Sequence, residues 1–261
     1  MSWENAVLTT ERHHVLLLAG TFEARQLAKQ LADTFPNLRL TASFAGVVRD
    51  LPDLGVATRI GGFGGVDGLV GYATTERVSL IVDATHPFAA QMSWNVAQAA
   101  EILGVPLVRL ERPEWRQEGE DQWTHVSSIT DATSELPTGA RAFLAVGRKE
   151  IGAFYGRADI YGLARMIEPP TEPLPTHWDL ILSRPPLEVA DECDHFRKHR
   201  ITHVVTKNSG GTRAFAKLEA ARRLSLPIIM IDRPRLPAAD TAVTTDKIVK
   251  YLTRFLNIEN S

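Results

Sequence analysis

Cysteine is nearly absent from this chain of 261 residues, in which Cys193 is the single one. One cysteine cannot form a disulfide within the chain, and without a second one beside it a structural zinc site of the cysteine type is excluded. The sequence also lacks a His-Glu-x-x-His zinc-binding pair. We therefore predict no metal site and interpret Cys193 as a packing residue in a helix.

Long apolar runs and an excess of one charge are missing as well. No apolar stretch is long enough to cross a bilayer, and residues 1–14 lack the pattern of a secretory signal. We expect a cytoplasmic protein that does not associate with membranes. The 29 Lys and Arg residues nearly balance the 31 Asp and Glu residues, for a formal net charge of −2. No overall field attracts nucleic acid, so an anionic ligand must be bound by local cations.

Three common catalytic motifs are also absent. There is no Gly-x-x-x-x-Gly-Lys-Ser/Thr phosphate loop and no Gly-x-Ser-x-Gly nucleophile elbow. No tyrosine precedes a lysine by four positions, which argues against the short-chain dehydrogenase class of NAD(P) enzymes. These classes of enzyme find little support in the sequence.

The chain does contain a strand, a tight turn and a helix close to its start. The apolar run from Val15 to Leu18 has strand length, breaks at Ala19-Gly20-Thr21, and passes into apolar positions with helical spacing from Ala24 to Phe35. Backbone N–H groups at such a helix start form a seat for phosphate. The full Gly-x-Gly-x-x-Gly pattern is missing, so both nucleotide binding and an ordinary strand-to-helix connection stay open.

Continuous apolar strands alternate with helical segments through the rest of the chain, which indicates parallel sheets with both faces covered. One helix is predicted from Pro87, a residue suited to the first helical position, to about Leu103. Residues 103–113 and 224–234 form an internal repeat, with four identical and five similar positions among eleven. Thr85-His86-Pro87 is therefore expected to correspond to Lys207-Asn208-Ser209. The sequence predicts an α/β protein of two Rossmann-like domains, each a parallel sheet with helices on both faces, with a cleft between them.

The unusual loops of the first half follow predicted strands, where open parallel sheets bind ligands. The glycines of 61–65 would let backbone approach a flat or phosphorylated ligand, although they also suit a flexible loop that needs positive φ. The second strand leads into Ser43 and Arg49 where NAD-binding folds place an acid, and this favours NADPH over NADH. The predicted cofactor-binding residues are Gly20, Thr21, Ser43, Arg49, Gly62, Gly64 and Thr85.

The second half offers cations at its predicted strand ends. Lys207 is followed by a hydroxyl residue and two glycines, a combination typical of an anion-binding site. The guanidinium group of Arg148 has the geometry to bind a carboxylate through two hydrogen bonds. Most basic residues on the helix predicted at 212–224 are interpreted as a solvated face. The predicted substrate-binding residues are Arg148, Arg184, Lys207, Ser209 and Gly210. His86 could donate a proton or simply cap a helix start.

A polar stretch at 112–121 is interpreted as the connection between the domains. We predict a NADPH-binding Rossmann-like domain at 1–115 and a second one at 116–240 that supplies the substrate side of the cleft. Residues 241–261 are predicted to form a C-terminal helix. Trp115 and Trp123 are interpreted as covering the edges of the core.

Several segments, taken in order, carry a resemblance to a known family. They are Ala19 to Arg25 (AGTFEAR), Gly61 to Gly65 (GGFGG), Asp83 to Ala89 (DATHPFA), Gly147-Arg148, and Lys207 to Gly211 (KNSGG), followed by Lys217-Leu218 and Arg233-Pro234. Over about residues 14–236 the chain thereby resembles the precorrin-6A reductase family of cobalamin biosynthesis. Ala19 departs from the usual Gly-Gly-Thr turn, and Arg184-Pro185-Pro186-Leu187 stands where Gly-Pro-Phe is usual.

The resemblance implies NADPH on the first domain and a corrin precursor as the small-molecule partner. Hydride transfer would convert precorrin-6A to precorrin-6B at the carbon called C19, with a proton added at C18 from His86, Lys207, Ser209 or water. These three side chains are the predicted catalytic residues. Two alternatives stay open: another NAD(P)-dependent reductase of a polycarboxylated substrate, including cobalt-precorrin-6A, and a two-lobed small-molecule binding protein. We expect a monomer, although the sequence does not fix the oligomeric state.

Overall fold

A computed structural model describes residues 13–44, 46 and 53–259 of the chain. The chain divides into two compact units, the first formed by Met1–Glu111 with Arg235–Ser261 and the second by Arg112–Pro234. Each unit contains one six-stranded sheet in which every pair of neighbouring strands is parallel. The predicted α/β class with two Rossmann-like units is confirmed. In the described part of the chain, no helix has the length and apolar character needed to span a bilayer.

The strands, in chain order, are β1 (His14–Ala19), β2 (Arg39–Phe44), β3 (Ala57–Ile60), β4 (Leu80–Asp83), β5 (Leu107–Leu110), β6 (Trp123–Val126), β7 (Arg141–Ala145), β8 (Tyr161–Met166), β9 (Asp179–Leu182), β10 (His203–Lys207), β11 (Ile228–Ile231) and β12 (Asp240–Ala242). The helices are α1 (Phe22–Thr34), α2 (Val66–Thr75), α3 (Ala90–Leu103), α4 (Ile129–Glu135), α5 (Val189–Lys198), α6 (Ala216–Arg223) and α7 (Thr245–Glu259), with one 3-10 turn at Ile151–Phe154. The strand order is β12-β5-β4-β1-β2-β3 in the first sheet and β6-β11-β10-β7-β8-β9 in the second.

The sheet of the first unit is apolar on both faces because its central strands carry no polar alternation. In β1, Val15 and Leu17 join a core with α1 and α7, whereas Leu16 and Leu18 join a second core with α2 and α3. Side chains of successive strand residues point to opposite faces, so one continuous apolar run supplies both cores. The segment 235–261 belongs to this unit through β12 and α7.

The second unit has an apolar core between its sheet and helices α5 and α6. Phe143 and Leu163 of the sheet pack with Phe196 of α5 and Leu218 of α6. Cys193 lies in the same core with a free, buried thiol, as expected of a packing residue in a helix.

Three elements were not predicted from the sequence, namely β6, α4 and β12. After β5 the chain enters the second unit and adds β6 beside β11, and after β11 it returns and adds β12 beside β5. One edge strand of each sheet is thus formed by the segment that follows an inner strand of the other sheet: β6 follows β5 in the chain, and β12 follows β11. β6 reads WTHV with exposed polar positions, and β12 has three residues, so neither carries an apolar run.

The helix predicted from Pro87 begins three residues later, at Ala90. Pro87 lies in a turn that is closed by the Ala89 N–H donating to the His86 carbonyl at 2.7 Å. The His86 ring also accepts the Phe88 N–H at 3.2 Å, so local hydrogen bonds form a turn ahead of the helix.

The internal repeat is visible in the topology, because β4 and β5 hold the same places in their sheet as β10 and β11 in theirs. Asp83 pairs with Arg109 in the first unit, and Thr206 pairs with Met230 in the second. By this register, Ala84 of the first unit is equivalent to Lys207 of the second. Thr85-His86-Pro87 is therefore equivalent to Asn208-Ser209-Gly210, one residue later than the predicted Lys207-Asn208-Ser209.

Candidate active site

The turn between β1 and α1 is fixed by Thr21, which caps the helix. Its Oγ1 accepts the Ala24 N–H at 3.1 Å and donates to the Ala84 carbonyl at 3.2 Å, so the helix start is tied to the end of β4. Gly20 beside it is exposed, and a Cβ placed there would meet nothing within 4 Å. The predicted phosphate turn therefore has an oriented helix start and open space next to its glycine.

The end of β2 holds Ser43, which is buried. The Arg59 guanidinium donates from Nη1 to Ser43 Oγ at 3.3 Å, because the parallel register of β2 and β3 sets these two residues side by side. Arg49, the cation predicted for this position, lies outside the described residues. Sequence reasoning missed Arg59 because only the strand pairing brings it to Ser43.

The glycine loop that follows β3 is held by the same guanidinium. Arg59 donates to the carbonyls of Gly61 at 2.6 Å and Gly62 at 2.7 Å, and its Cζ lies 3.8 Å from the centroid of the Phe63 ring. Gly61, Gly64 and Gly65 have positive φ, and the predicted Gly62 and Gly64 are exposed. The loop thus presents backbone at the carboxyl edge of the sheet while a cation fixes its carbonyls from one side.

Gly68, in the first turn of α2, was also missed by sequence reasoning. A Cβ at Gly68 would lie 1.7 Å from the carbonyl oxygen of Phe63. The loop therefore folds back against the helix so closely that only glycine fits. The signal available in the sequence was a glycine early in a helix that follows a glycine-rich loop, although it does not distinguish Gly68 from Gly71.

Asp83, the last residue of β4, is buried and is the centre of a hydrogen-bond network. Its Oδ2 accepts from Ser93 Oγ at 2.7 Å and from Arg109 Nε at 3.1 Å, and its Oδ1 accepts both the hydroxyl and the N–H of Thr85 at 2.7 and 3.2 Å. Arg109 in turn donates to the Pro237 carbonyl at 2.9 Å. The predicted cofactor residue Thr85 is therefore held by a buried ion pair that the sequence did not reveal.

His86 follows this network and is half-buried. Because its Nδ1 accepts the Phe88 N–H, the neutral ring carries its proton on Nε2. The ring thus helps to close a turn before α3, and its role as a proton donor stays a prediction.

Two of the three predicted cations of the second unit lie beside carboxylates. Arg148 is exposed, and its Nη1 lies 2.6 Å from Glu168 Oε2. Lys207 is buried at the end of β10, with Nζ 2.8 Å from Glu150 Oε1. Arg184 lies exposed in the loop between β9 and α5.

The loop after Lys207 is tightly built. The Ser209 N–H and hydroxyl both donate to the Lys207 carbonyl, at 2.8 and 3.4 Å. Gly210 has a φ of +64°, and a Cβ there would lie 2.3 Å from the Pro113 carbonyl oxygen and 2.4 Å from Arg233 Nη2. Only glycine suits this position, so the loop geometry depends on the segment 112–115 that packs against it.

Lys217 is an exception to the interpretation of most basic residues at 212–224 as a solvated face. It is buried rather than exposed, with Nζ donating to the Ala214 carbonyl at 2.7 Å. Burial lowers the pKa of this lysine to about 7, with Glu192 opposing the shift and Arg165 adding to it.

The molecule is thus an α/β protein with two Rossmann-like units, whose ligand-type loops follow the carboxyl ends of parallel strands. Comparison with known proteins makes this class specific. A family model described as "Precorrin-6x reductase CbiJ/CobK" matches residues 14–253. The chain belongs to this family, which makes it an oxidoreductase of cobalamin biosynthesis, and the resemblance seen in the sequence is confirmed.

Individual relatives agree with the family match. The chain is 48% identical to a precorrin-6A reductase of Rhodococcus erythropolis over 88% of its own length and 92% of that protein. It is 44% identical to a precorrin-6A reductase of Rhodobacter capsulatus, over 91% of this chain and 95% of that one. Among solved structures, one titled "CobK precorrin-6A reductase" superposes with a TM-score of 0.85 at 43% identity, covering 93% of this chain and 97% of the other.

Proposed function

We propose that this chain reduces precorrin-6A to precorrin-6B with NADPH as the hydride donor. The first unit holds the nucleotide at the carboxyl edge of its sheet, and the second supplies cations for the carboxylates of the macrocycle. Family membership gives the reductase class, and a reductase of this kind needs a hydride donor. The observation that carries the choice of NADPH is the contact between Arg59 and Ser43 at the end of β2.

The residues of the first unit suit a dinucleotide. The pyrophosphate is assigned to the α1 start, where Thr21 orients the first turn and Gly20 leaves room for an anion. The exposed backbone of Gly62 and Gly64 is assigned to a flat part of the same ligand. Thr85, fixed by Asp83, forms the remaining wall of this edge.

Arg59 supports NADPH over NADH. At the end of the second strand, NAD-binding folds place an Asp or Glu that holds the ribose hydroxyls. Here a serine and a guanidinium occupy that place, and a guanidinium fork matches a phosphate. We therefore assign Arg59 to the 2′-phosphate together with Arg49, the residue that the sequence suggested for this role.

The cations of the second unit suit a polycarboxylated substrate. Glu150 and Glu168 hold Lys207 and Arg148 in place at 2.8 and 2.6 Å. A substrate carboxylate would compete with these side chains for the same charges, while Arg184 adds an exposed guanidinium. Ser209 and Gly210 complete the loop that carries Lys207.

The protein mainly positions two flat ligands and excludes water around them. NADPH, when bound, supplies the hydride. Among the three predicted proton donors, His86 is our assignment, because its Nδ1 is engaged by the Phe88 N–H and its proton therefore resides on Nε2. Lys207 and Ser209 are assigned to substrate binding, since both are held in the loop after β10.

The activity is tested by incubating the pure protein with precorrin-6A and NADPH while following the absorbance of both. We expect equimolar consumption of the two. Absence of NADPH oxidation would contradict the proposal, and binding of both ligands without oxidation would favour the two-lobed binding protein instead.

Arg59→Ala tests the cofactor assignment. Loss of a charge-assisted contact of about 1.5–3 kcal/mol should raise the KM for NADPH about 10- to 100-fold. The KM for NADH should rise less, because NADH lacks the 2′-phosphate and feels only the loss of the bonds from Arg59 to the Gly61 and Gly62 carbonyls. Ser43→Ala is the matched control, expected to have a smaller effect on both cofactors. Equal weakening of NADPH and NADH by Arg59→Ala would remove this argument.

Lys207→Ala tests the substrate side. We expect a higher KM for precorrin-6A or a lower kcat, with the affinity for NADPH unchanged. Lys198→Ala, at an exposed lysine of α5, is the control for a general loss of positive charge. Unchanged kinetics in the Lys207 variant would return this lysine to a structural role.

A further inference from the structure

Three charged side chains are buried together in the otherwise apolar core of the second unit. Arg165 of β8 forms a two-point hydrogen-bonded ion pair with Glu192 of α5, and Lys217 of α6 adds a second cation beside them. All three are 5% exposed or less. The Arg165–Glu192 pair is neutral by itself, so a protonated Lys217 leaves a net positive charge in the core. A buried charge without its own carboxylate is costly, which raises the question of what Lys217 does.

Lys217 contacts the segment that leads into α6 and the indole of Trp115. Its Nζ donates to the Ala214 carbonyl at 2.7 Å and lies 4.5 Å from the centroid of the Trp115 ring. An ammonium group over an indole face is attracted by the ring quadrupole, and the attraction is stronger when the pair is removed from water. The electrostatic attraction between Lys217 and Trp115 exists only while the amine carries its proton.

Trp115 in turn holds the loop after β10. Its N–H donates to Asn208 Oδ1 at 2.9 Å, and its carbonyl accepts from Asn208 Nδ2 at 3.1 Å. The indole Nε1 donates to the Gly211 carbonyl at 2.7 Å. Both ends of the segment that contains Ser209 and Gly210 are thus fixed to one tryptophan.

We propose that Lys217 is a positioning residue for substrate binding, which acts by holding Trp115 and Ala214 so that Lys207 and Ser209 keep their places in the loop. This inference rests on the proposed function, which assigns that loop to the substrate carboxylates. Lys217 touches none of the predicted ligands itself.

The proton on Lys217 makes this support depend on pH. The charged groups that face it are Glu192 from α5 and Arg165 from β8, and the thiol of Cys193 lies in the same core. With a pKa of about 7, the ammonium loses its proton as pH rises through neutrality, and the contact with Trp115 weakens. The KM for the substrate should therefore rise above this pH.

Lys217→Met tests the inference, because methionine fills a similar volume without charge. We expect the KM for precorrin-6A to rise about 3- to 10-fold, with the KM for NADPH unchanged and the pH-dependent rise near 7 abolished. Amide hydrogen exchange over residues 208–214, measured without ligands, should become faster. Thermal stability should stay equal or increase, since a buried charge is removed, whereas a purely structural lysine would lower stability without changing the KM.

Trp115→Phe is the second variant, which keeps a ring for the ammonium and loses the bond to Gly211. It should raise the KM in the same direction through the lost bond to Gly211. If the methionine variant does not fold, the rise of the KM above pH 7 in the wild type tests the role of the Lys217 proton. Unchanged exchange and KM in both variants, while Lys207→Ala still raises the KM, would overturn the inference and leave the proposed function intact. An unaffected KM for precorrin-6A in Lys207→Ala would contradict both the assignment of this loop to the substrate and the inference that depends on it. A wild-type protein that oxidises no NADPH would refute the proposed function, and the exchange experiment would still decide whether Lys217 orders the loop.

Discussion

The buried ion pair at the end of β4 and β5 allows a quantitative test of how the first unit is held together. Arg109 Nε lies 3.1 Å from Asp83 Oδ2, and the two side chains are 6% and 1% exposed. Asp83→Thr removes the carboxylate and leaves the guanidinium charged and buried. Breaking a buried pair in this way costs about 3–5 kcal/mol. At about 2–4 °C per kcal/mol, the melting temperature should fall by roughly 6–20 °C.

The second unit supplies the matched control for this change. The equivalent positions there are Thr206 and Met230, a neutral pair in the same register. The double variant Asp83→Thr with Arg109→Met copies that pair, and it should be more stable than the sum of the single changes predicts, with a coupling of about 1–3 kcal/mol. Thermal and urea unfolding followed by circular dichroism measure all four proteins. Single variants within about 1 kcal/mol of wild type, or purely additive effects in the double variant, would refute the reasoning.

Two further predictions concern single contacts. Gly68→Ala sets a Cβ 1.7 Å from the Phe63 carbonyl oxygen, so the glycine loop must move, and NADPH titration should show at least about tenfold weaker binding. Gly71→Ala, where a Cβ meets nothing within 4 Å, should leave binding unchanged. Hydrogen bonds from Arg222 hold the pKa of the Asp121 carboxyl below its usual range. This stabilisation is present above the unfolded pKa and is lost as pH falls through the folded one, so Arg222→Ala should cost about 1.5–3 kcal/mol at pH 7 and little in strong acid, as judged by urea unfolding across pH.

The inner strands could be predicted from the sequence because they are continuous apolar runs. β1, for example, was expected from the apolar run Val15 to Leu18 and is observed at His14–Ala19. The edge strands β6 and β12 could not be found in this way. An edge strand buries only part of its surface and needs few apolar residues, and its place is decided by the neighbour it pairs with.

The candidate site likewise has parts that could be predicted from the sequence and parts that could not. The loops at Gly20, Thr85 and Lys207 were predicted because each follows an apolar run, and the carboxyl ends of parallel strands meet at one edge. The side chains that support those loops were not predicted, since their roles depend on distant partners: Arg59 reaches Ser43 only through strand pairing, and Lys217 reaches Trp115 across about a hundred residues of chain. A lysine at helical spacing among other basic residues gives no sign that it faces the core.

Under the proposed function, the two units adapt one topology to two kinds of ligand. In the first unit, the charges lie beneath the loop, as the Asp83–Arg109 pair, and Ala84 at the strand end is neutral. In the second unit, Thr206 and Met230 occupy the buried positions, and the cation has moved to the strand end as Lys207. A further buried cluster of charges there comprises Arg165 of β8, Glu192 of α5 and Lys217 of α6. A neutral, glycine-lined edge lets backbone approach a dinucleotide, whereas a cationic edge suits carboxylates, so under the proposed function a few exchanged positions give the two sheets different ligands.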